Sequence, residues 1–244
     1  GIFNTHSGFD KKYLENAHNF LMANLANEQN QAELAERYSV ENLATLNGYC
    51  QMRHDIEPLE SDYLELRLRR YLTFAEFKSE LSPHFGLGLE GYATWTSPIR
   101  KYSDMVNHRL IKAVLAKQPY EKPQNDVLAR LQEARRQNRL VERDIADWLY
   151  CRYLAPKVAL NAEFEAEVQD VMRGGLRVQL LENGASMFIP ASTLHNNKEE
   201  IQVNSDEIAL YIKGERRYKI GDLVKVKLTE VREETRSIIG QLII

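Results

Sequence analysis

At 244 residues the chain is long enough for one large or two modest domains. Its 27% charged and 43% apolar residues are ordinary for a globular protein, and a net charge of −3 rules out bulk positive charge as a means of holding nucleic acid. Cys50 and Cys151 lack metal-type spacing and are expected as buried thiols in a reducing compartment; with no leader and no long apolar span, a cytoplasmic location is the default.

After an opening loop, Asp10 is placed to cap a helix, and Tyr13, Leu14, Ala17, Phe20, Leu21 and Leu25 recur at helical spacing. A second helix is expected over Ala32 to Tyr38. Ser39 can cap a short one ending near Gly48. His54 and Asp55 are neighbours without a third catalytic partner, and a solvated loop before Pro58 is the simpler account. Leu59 to Leu72 reads as a helix whose Arg67, Arg69 and Arg70 form a solvated face or, alternatively, a phosphate track. Phe74 to Leu81 fits strand or helix. Phe85, Leu87 and Leu89 alternate as in a strand, with glycines at 86, 88 and 91 permitting close backbone approach or a bulge.

At Thr96-Ser97-Pro98-Ile99-Arg100, Ser97 reads as an N-cap and Pro98 as the first helical residue. Arg100 then falls in the first turn, where the helix dipole disfavours a cation unless an anion sits nearby. Free N–H groups and a guanidinium aimed at one point would make a phosphate site; the alternative is an arginine bent to water or to a carboxylate. The helix presents Ile99, Tyr102, Val106, Leu110, Ala113 and Val114 as an apolar face. Lys101, Asp104 and His108 lie on another, where Asp104 and His108 read as an ordinary surface pair.

Pro119 and Pro123 mark a turn. A long helix follows from about Asp126 to Tyr153, with Val127, Leu131, Ala134, Asn138, Val141, Ile145 and Trp148 as its expected buried stripe. Its arginines are mostly solvated partners of nearby carboxylates, although the patch from Arg135 to Arg143 could face phosphate. Pro156 is expected to end it, with a domain boundary over residues 155–161. Short strands follow: Phe164 to Val168, Leu176 to Leu180, Met187 to Ser192, Val224 to Leu228 and Ile238 to Leu242. Gly174-Gly175 and Asn183-Gly184 make turns, and a polar loop lies after His195. Five short strands suggest a small closed barrel of the OB type.

The ordered run Tyr92…Thr96-Ser97-Pro98-Ile99-Arg100-Lys101-Tyr102…Asp104…His108-Arg109 resembles the signature of the ribonuclease II/ribonuclease R (RNB) family, with Trp95 where many members carry phenylalanine. The flanking His84 to Leu89 places it nearest the ribonuclease II branch. The barrel region resembles the OB-fold RNA-binding domain named after ribosomal protein S-one. It does so through its Gly-Gly turn, the Phe188-Ile189-Pro190-Ala191-Ser192 run with nearby His195, Tyr218 to Asp222, and Val231 to Arg236. The fold implied is α+β: residues 1–158 as the C-terminal, helix-rich part of an RNB catalytic domain, then residues 162–244 as a five-stranded OB-fold barrel.

This resemblance implies a processive 3′→5′ exoribonuclease that hydrolyses single-stranded RNA to nucleoside 5′-monophosphates, acting as a monomer with no membrane attachment. Arg100 would bind the scissile phosphate, and Ser97, Tyr102, Arg139 and Glu142 would lie along the RNA, Glu142 near the terminal nucleotide. Phe188, His195, Lys225, Lys227 and Arg236 are the barrel's candidates; Phe188 could instead be barrel core, and Leu176 stands where many relatives stack an aromatic. Magnesium is the implied cofactor, with its aspartate cluster expected upstream of residue 1, so this chain is read as the C-terminal part of a longer protein and as inactive alone. The alternative from another class is a non-catalytic single-stranded RNA-binding module.

Overall fold

The computed structural model describes residues 1–204 and 207–243, and the chain divides into two compact units. The first holds Gly1–Ser61 and Leu68–Asn138, and the second Asp62–Arg67 and everything from Arg139 on.

In chain order the elements are β1 (Phe3–Thr5), α1 (Leu14–Leu25), α2 (Gln31–Arg37), α3 (Val40–Leu43), α4 (Leu46–Ile56) and α5 (Asp62–Arg69). There follow β2 (Glu76–Lys78), α6 (Tyr102–Leu115) and α7 (Asn125–Val158). The second unit adds β3 (Glu163–Met172), β4 (Gly175–Leu180), β5 (Ser186–Pro190) and α8 (Ala191–Leu194). It ends with β6 (Ile201–Asn204), β7 (Ala209–Ile212), β8 (Glu215–Lys219), β9 (Leu223–Arg232) and β10 (Ser237–Leu242).

In the first unit α1 packs on α2 and α3, α3 packs on α4, and β1 pairs with β2. Asp10 caps a single 3-10 turn that leads into α1, and α1 buries Leu14, Ala17, Phe20 and Leu21 at the expected spacing. Ser39 caps α3 as expected, but the next helix is separate: Thr45 caps α4 and Gly48 lies in its first turn, with no room for a side chain against the Asn42 carbonyl. His54 and Asp55 stand on α4 rather than in a loop. Asp55 accepts from Tyr38 Oη at 3.0 Å and pairs with Arg37 at 3.2 Å, which makes it a helix tie. Burial, and then that bond to a carboxylate, push the Tyr38 hydroxyl up to about 12.

Elsewhere in this unit the structure corrects two expectations and resolves one that was open. Phe85 to Leu89 is no strand: Phe85–Leu87 forms a 3-10 turn ended by Gly88 at φ +65°, a conformation glycine adopts freely. Phe74 to Leu81 resolves into the short β2, antiparallel to β1. On α6 the buried residues are Ser103, Asp104 and Asn107, while Ile99 before it and Tyr102 and Val114 on it are exposed. Val106, Leu110 and Ala113 are half-buried, and the polar face is the inner one, where its donors and acceptors are satisfied.

The second unit is a closed barrel in the order β10-β5-β4-β3-β9, antiparallel except where β5 meets β10. Alternation drives it. Ala166, Val168, Leu176, Val178, Leu180, Met187, Ile189 and Val226 are completely buried, and each large side chain contributes about 1.5–3 kcal/mol. Gly175, at φ +143°, admits no Cβ because the Ile189 carbonyl would lie 2.0 Å away. The segment expected as a polar loop after His195 contains β6, β7 and β8, a three-stranded sheet whose Ile201, Leu210 and Ile212 join the barrel core. Within α7, Pro156 does not end the helix. It forfeits one N–H in the last turn, and the helix closes at Val158. The stripe expected on α7 also fails from Ala134 on: Ala134, Asn138, Val141, Ile145 and Trp148 are exposed, and Cys151 and Leu154 are the residues buried in the barrel core. Arg67 is buried rather than on a solvated face.

Candidate nucleic-acid interface

The residues singled out in the sequence centre on two places, one in each unit, and five of them stand apart from both. In the first unit the centre is Asp104. Its carboxylate is wholly buried and gathers the preceding loop: Thr94 Oγ1 and Ser103 Oγ donate to Oδ1, the Ser97 N–H donates to Oδ2 at 3.0 Å, and Lys101 Nζ lies 3.3 Å away. Burial alone would raise its pKa; the donors from Thr94, Ser97 and Lys101 outweigh that and hold the carboxyl below its ordinary value. Asn107, one turn on, pairs like a strand. Its Oδ1 accepts the Ile2 N–H at 2.7 Å, and its Nδ2 donates to the carbonyls of Ile2 at 2.9 Å and Thr94 at 3.3 Å. The Asn4 N–H reaches the Tyr92 carbonyl at 2.8 Å, and His108 Nε2 donates to the Trp95 carbonyl at 2.7 Å.

This scaffold changes the capping expectation. Ser97 is not an N-cap and Pro98 is not helical. Residues 98–100 form a turn in which the Arg100 and Lys101 N–H groups donate to the Ser97 carbonyl at 3.2 and 2.9 Å, and α6 begins only at Tyr102. A buried carboxylate that binds the Ser97 N–H competes better for the loop than a serine hydroxyl would. The turn presents Trp95, Ile99, Arg100 and Tyr102 to solvent, with Ile99 fully exposed. Arg100 has no ion-pair partner among the described residues, so the carboxylate alternative is not realised. Asp104 and His108 do not form a pair; each ties down the loop separately. Sequence reasoning undervalued Asp104 and missed Asn107, because both lie on the polar face that helical spacing marks as outward.

A second buried polar group sits at the loop's other end. His6 Nε2 donates to the Thr73 carbonyl at 3.2 Å while its Nδ1 accepts the Gly86 N–H at 3.1 Å, and the His84 ring lies 5.5 Å from it. Burial first, and then the neighbouring His84, lower the His6 pKa; burial and the Arg135 charge lower that of His84.

In the second unit, Phe188 alternates outward between the buried Met187 and Ile189, opposite Arg177 in the β4–β5 register, so it is not core. Phe188, Arg177 and Arg236 line one cleft of about 550 Å³ with Arg143, Asp144 and Asp147 of α7. Arg236 sits at φ +51° in the β9–β10 turn and pairs with Asp144 at 2.7 Å. The other barrel candidates stand elsewhere. His195 is held by Glu200 at 2.5 Å. Lys225 and Lys227 project from β9 opposite Glu165 and Glu163 of β3. Leu176 is completely buried and cannot stack. Arg139 and Glu142 are exposed on α7, with no hydrogen-bonding or ionic partner among the described residues. Arg177, a cation on the outward phase of β4, was missed; its alternation with Leu176 and Val178 was the available signal. Among the described residues no group of three or more His, Cys, Asp or Glu side chains is placed to hold a metal ion, and no helix is long and apolar enough to cross a membrane.

Comparison with known proteins adds the following. Residues 1–117 match the RNB domain model and residues 157–242 match the S1 RNA binding domain model. The chain is 93% identical over 243 residues to Exoribonuclease 2 of Haemophilus influenzae (strain 86-028NP) and 80% identical to Exoribonuclease 2 of Mannheimia succiniciproducens. In both cases all of this chain is covered, and it spans 37% of the relative's length. Among solved structures, the apo form of Mycoplasma genitalium RNase R superposes with a TM-score of 0.71 at 19% identity, over 99% of this chain and 37% of that one. The same protein in complex with ribose methylated single-stranded RNA gives 0.70. At that identity the likeness establishes a shared fold.

Proposed function

We propose, since residues 1–117 match the RNB domain model and residues 157–242 the S1 RNA binding domain model, that the chain is part of a 3′→5′ exoribonuclease. The enzyme hydrolyses single-stranded RNA processively to nucleoside 5′-monophosphates, as a cytoplasmic monomer. The catalytic part extends over residues 1–158 and the RNA-binding barrel over residues 162–244. The observation that carries this reading is the turn before α6, where a buried carboxylate holds an unpaired arginine out to solvent.

Arg100 clamps the scissile phosphate. Its planar fork matches two non-bridging oxygens and meets the negative charge that grows on them during in-line attack by water. Nothing within the described protein neutralises Arg100 beforehand. The Ser97 segment and Tyr102 flank it and orient the nucleotide, while Glu142 and Arg139 on α7 contact the terminal residues of the strand. Phe188, Arg177 and Arg236 form the barrel's RNA contact by stacking and phosphate pairing; His195, Lys225 and Lys227 add a weaker track. Magnesium is the metal of this reading. The described residues offer no donor set that fits it, so its ligands are assigned to the portion of the relatives that this chain does not span.

The test is Arg100→Ala in the full-length protein. Turnover should fall by about 10²–10³ with single-strand affinity nearly unchanged. Arg100→Lys should recover only part of the rate, because the ammonium lacks the fork. Unaltered turnover would remove Arg100 from the chemistry. Binding without any cleavage by the full-length wild type would leave an RNA-binding module.

A further inference from the structure

The cleft of the second unit contains three arginines and two aspartates, an unusual mixture for a surface that must receive a polyanion. The five charges are not equivalent. Arg143 and Arg177 have no ionic partner among the described residues, whereas Arg236 is held by Asp144 at 2.7 Å. The two partners come from different elements: Asp144 projects from α7, and Arg236 from a turn whose left-handed backbone places its side chain at a fixed point. Both remain about half exposed, at 59% and 44%.

We propose that Asp144 is a built-in phosphate mimic: it occupies Arg236 in the empty cleft, and a phosphate of single-stranded RNA displaces it. The proposal rests on the reading of this cleft as the barrel's RNA contact. Carboxylate and phosphate oxygens accept from a guanidinium in the same forked geometry, so one can replace the other without moving Arg236. An exposed pair is weak enough to exchange readily. The consequence is a contact that adds geometric register but little net affinity, because Arg236 trades one anion for another instead of releasing counterions. That property suits a strand that must advance repeatedly through the site. Phe188 supplies the sequence-tolerant stacking surface, and Arg177, opposite Asp170 in the register but in no ion pair among the described residues, a phosphate contact with no pair to break first.

The experiment uses the full-length protein with a short fluorescein-labelled single-stranded oligoribonucleotide. Anisotropy is read over a series of salt concentrations, with chelator present so that the RNA stays intact. Asp144→Asn should bind about two- to five-fold more tightly at low salt, the equivalent of one exposed ion pair. Its plot of log affinity against log salt should steepen by about 0.7, the share of one newly formed phosphate contact. Asp144→Glu, which keeps the mimic, should retain wild-type affinity and slope. Asp126→Asn, which breaks the exposed pair with Arg130 elsewhere on α7, should change neither. Arg177→Ala and Phe188→Ala test the underlying reading: if both leave binding unchanged, the cleft is not an RNA contact and the proposal goes with it. If they weaken binding while Asp144→Asn leaves affinity and slope at wild type, the RNA contact stands and the mimic is wrong. Equal tightening by Asp126→Asn would reduce the effect to net charge and overturn the proposal as well.

Discussion

The two units solve the problem of holding a functional surface in opposite ways. In the first, the surface turn is suspended from buried polar groups: Ser103, Asp104 and Asn107 on α6, with Asn4, Thr5 and His6 beside them, are all buried. In the second, the surface residues ride on strands whose inward neighbours are aliphatic and completely buried, such as Leu176, Val178 and Ile189. Apolar packing tolerates substitution gradually, because burial is additive and non-directional. A polar scaffold is specific and unforgiving: each group is satisfied only while its partners remain, and an orphaned donor costs more than the bond contributed. The arginine assigned to chemistry stands on the polar scaffold, where position matters most. The residues assigned to strand binding stand on the barrel, where position can be looser.

Removing the keystone should break this contrast most severely. Asp104→Ala leaves the Ser97 N–H, the Thr94 and Ser103 hydroxyls and the Lys101 ammonium without their common acceptor. A loss of roughly 3–5 kcal/mol is expected, as for other broken buried charge networks, together with the disappearance of Arg100-dependent activity. Native-state hydrogen exchange should show the loss at the amides of residues 94–104, with protection of β3, β4 and β5 unchanged. An Asp104→Ala protein that unfolds with wild-type stability would mean that the turn holds itself.

The same contrast explains what could be read from the sequence. Barrel alternation is a two-residue pattern that survives without knowledge of partners, and Phe164, Ala166 and Val168, then Leu176, Val178 and Leu180, turn inward as their spacing implies. Asp10 and Ser39 cap as expected because a cap is satisfied within three residues. The support of Arg100 is non-local: Asn107 bonds to Ile2, 105 positions away, and no helical period marks such a residue. Periodicity on α7 identifies Val141, Ile145 and Trp148 as an apolar face, yet carries no information on whether this chain supplies its cover, and here they are exposed. Strands β6, β7 and β8 escaped because each is only four or five residues long and β8 consists largely of charged residues.

Acid should separate the units by a smaller margin. His6 and His84 have pKa values lowered from 6.5, so below that pH the unfolded chain binds protons that the folded first unit refuses. Their contribution is complete above about pH 6.5 and declines as the pH falls through 6.5 toward the folded values. A protonated His6 Nδ1 could no longer accept the Gly86 N–H. In the barrel unit Glu167 has the opposite sign: burial and the nearby Asp62 raise its pKa above 4.5, so mild acid favours the folded state there. The two tryptophans report one unit each, Trp95 the first and Trp148 the second. Single-tryptophan variants unfolded in urea at pH 7.5 and 5.5 should show the Trp95 midpoint falling and the Trp148 midpoint holding. Parallel shifts would mean that the buried imidazoles do not set the acid response.

The smallest effect is expected where the barrel has the most obvious basic residues. Lys225 and Lys227 lie on alternate positions of β9, the spacing that invites a phosphate track, but the strand register sets Glu165 and Glu163 directly across from them. A phosphate approaching either ammonium meets a carboxylate at cross-strand distance, about 5 Å away, so attraction and repulsion largely cancel within one screening length. Arg177 on β4 also has a carboxylate across from it, Asp170 of β3, but its other neighbour is Phe188 of β5, whose ring gives a base a stacking surface that the lysines lack. Lys225→Ala and Lys227→Ala should therefore each change single-strand affinity less than about two-fold and leave the salt slope nearly unchanged, while Arg177→Ala lowers the slope by about 0.7. Glu165→Gln sharpens the test. If cancellation is the reason the lysines are silent, removing that carboxylate should make the subsequent Lys225→Ala change measurable, and a lysine that stays silent in the Gln background lies off the strand's path altogether.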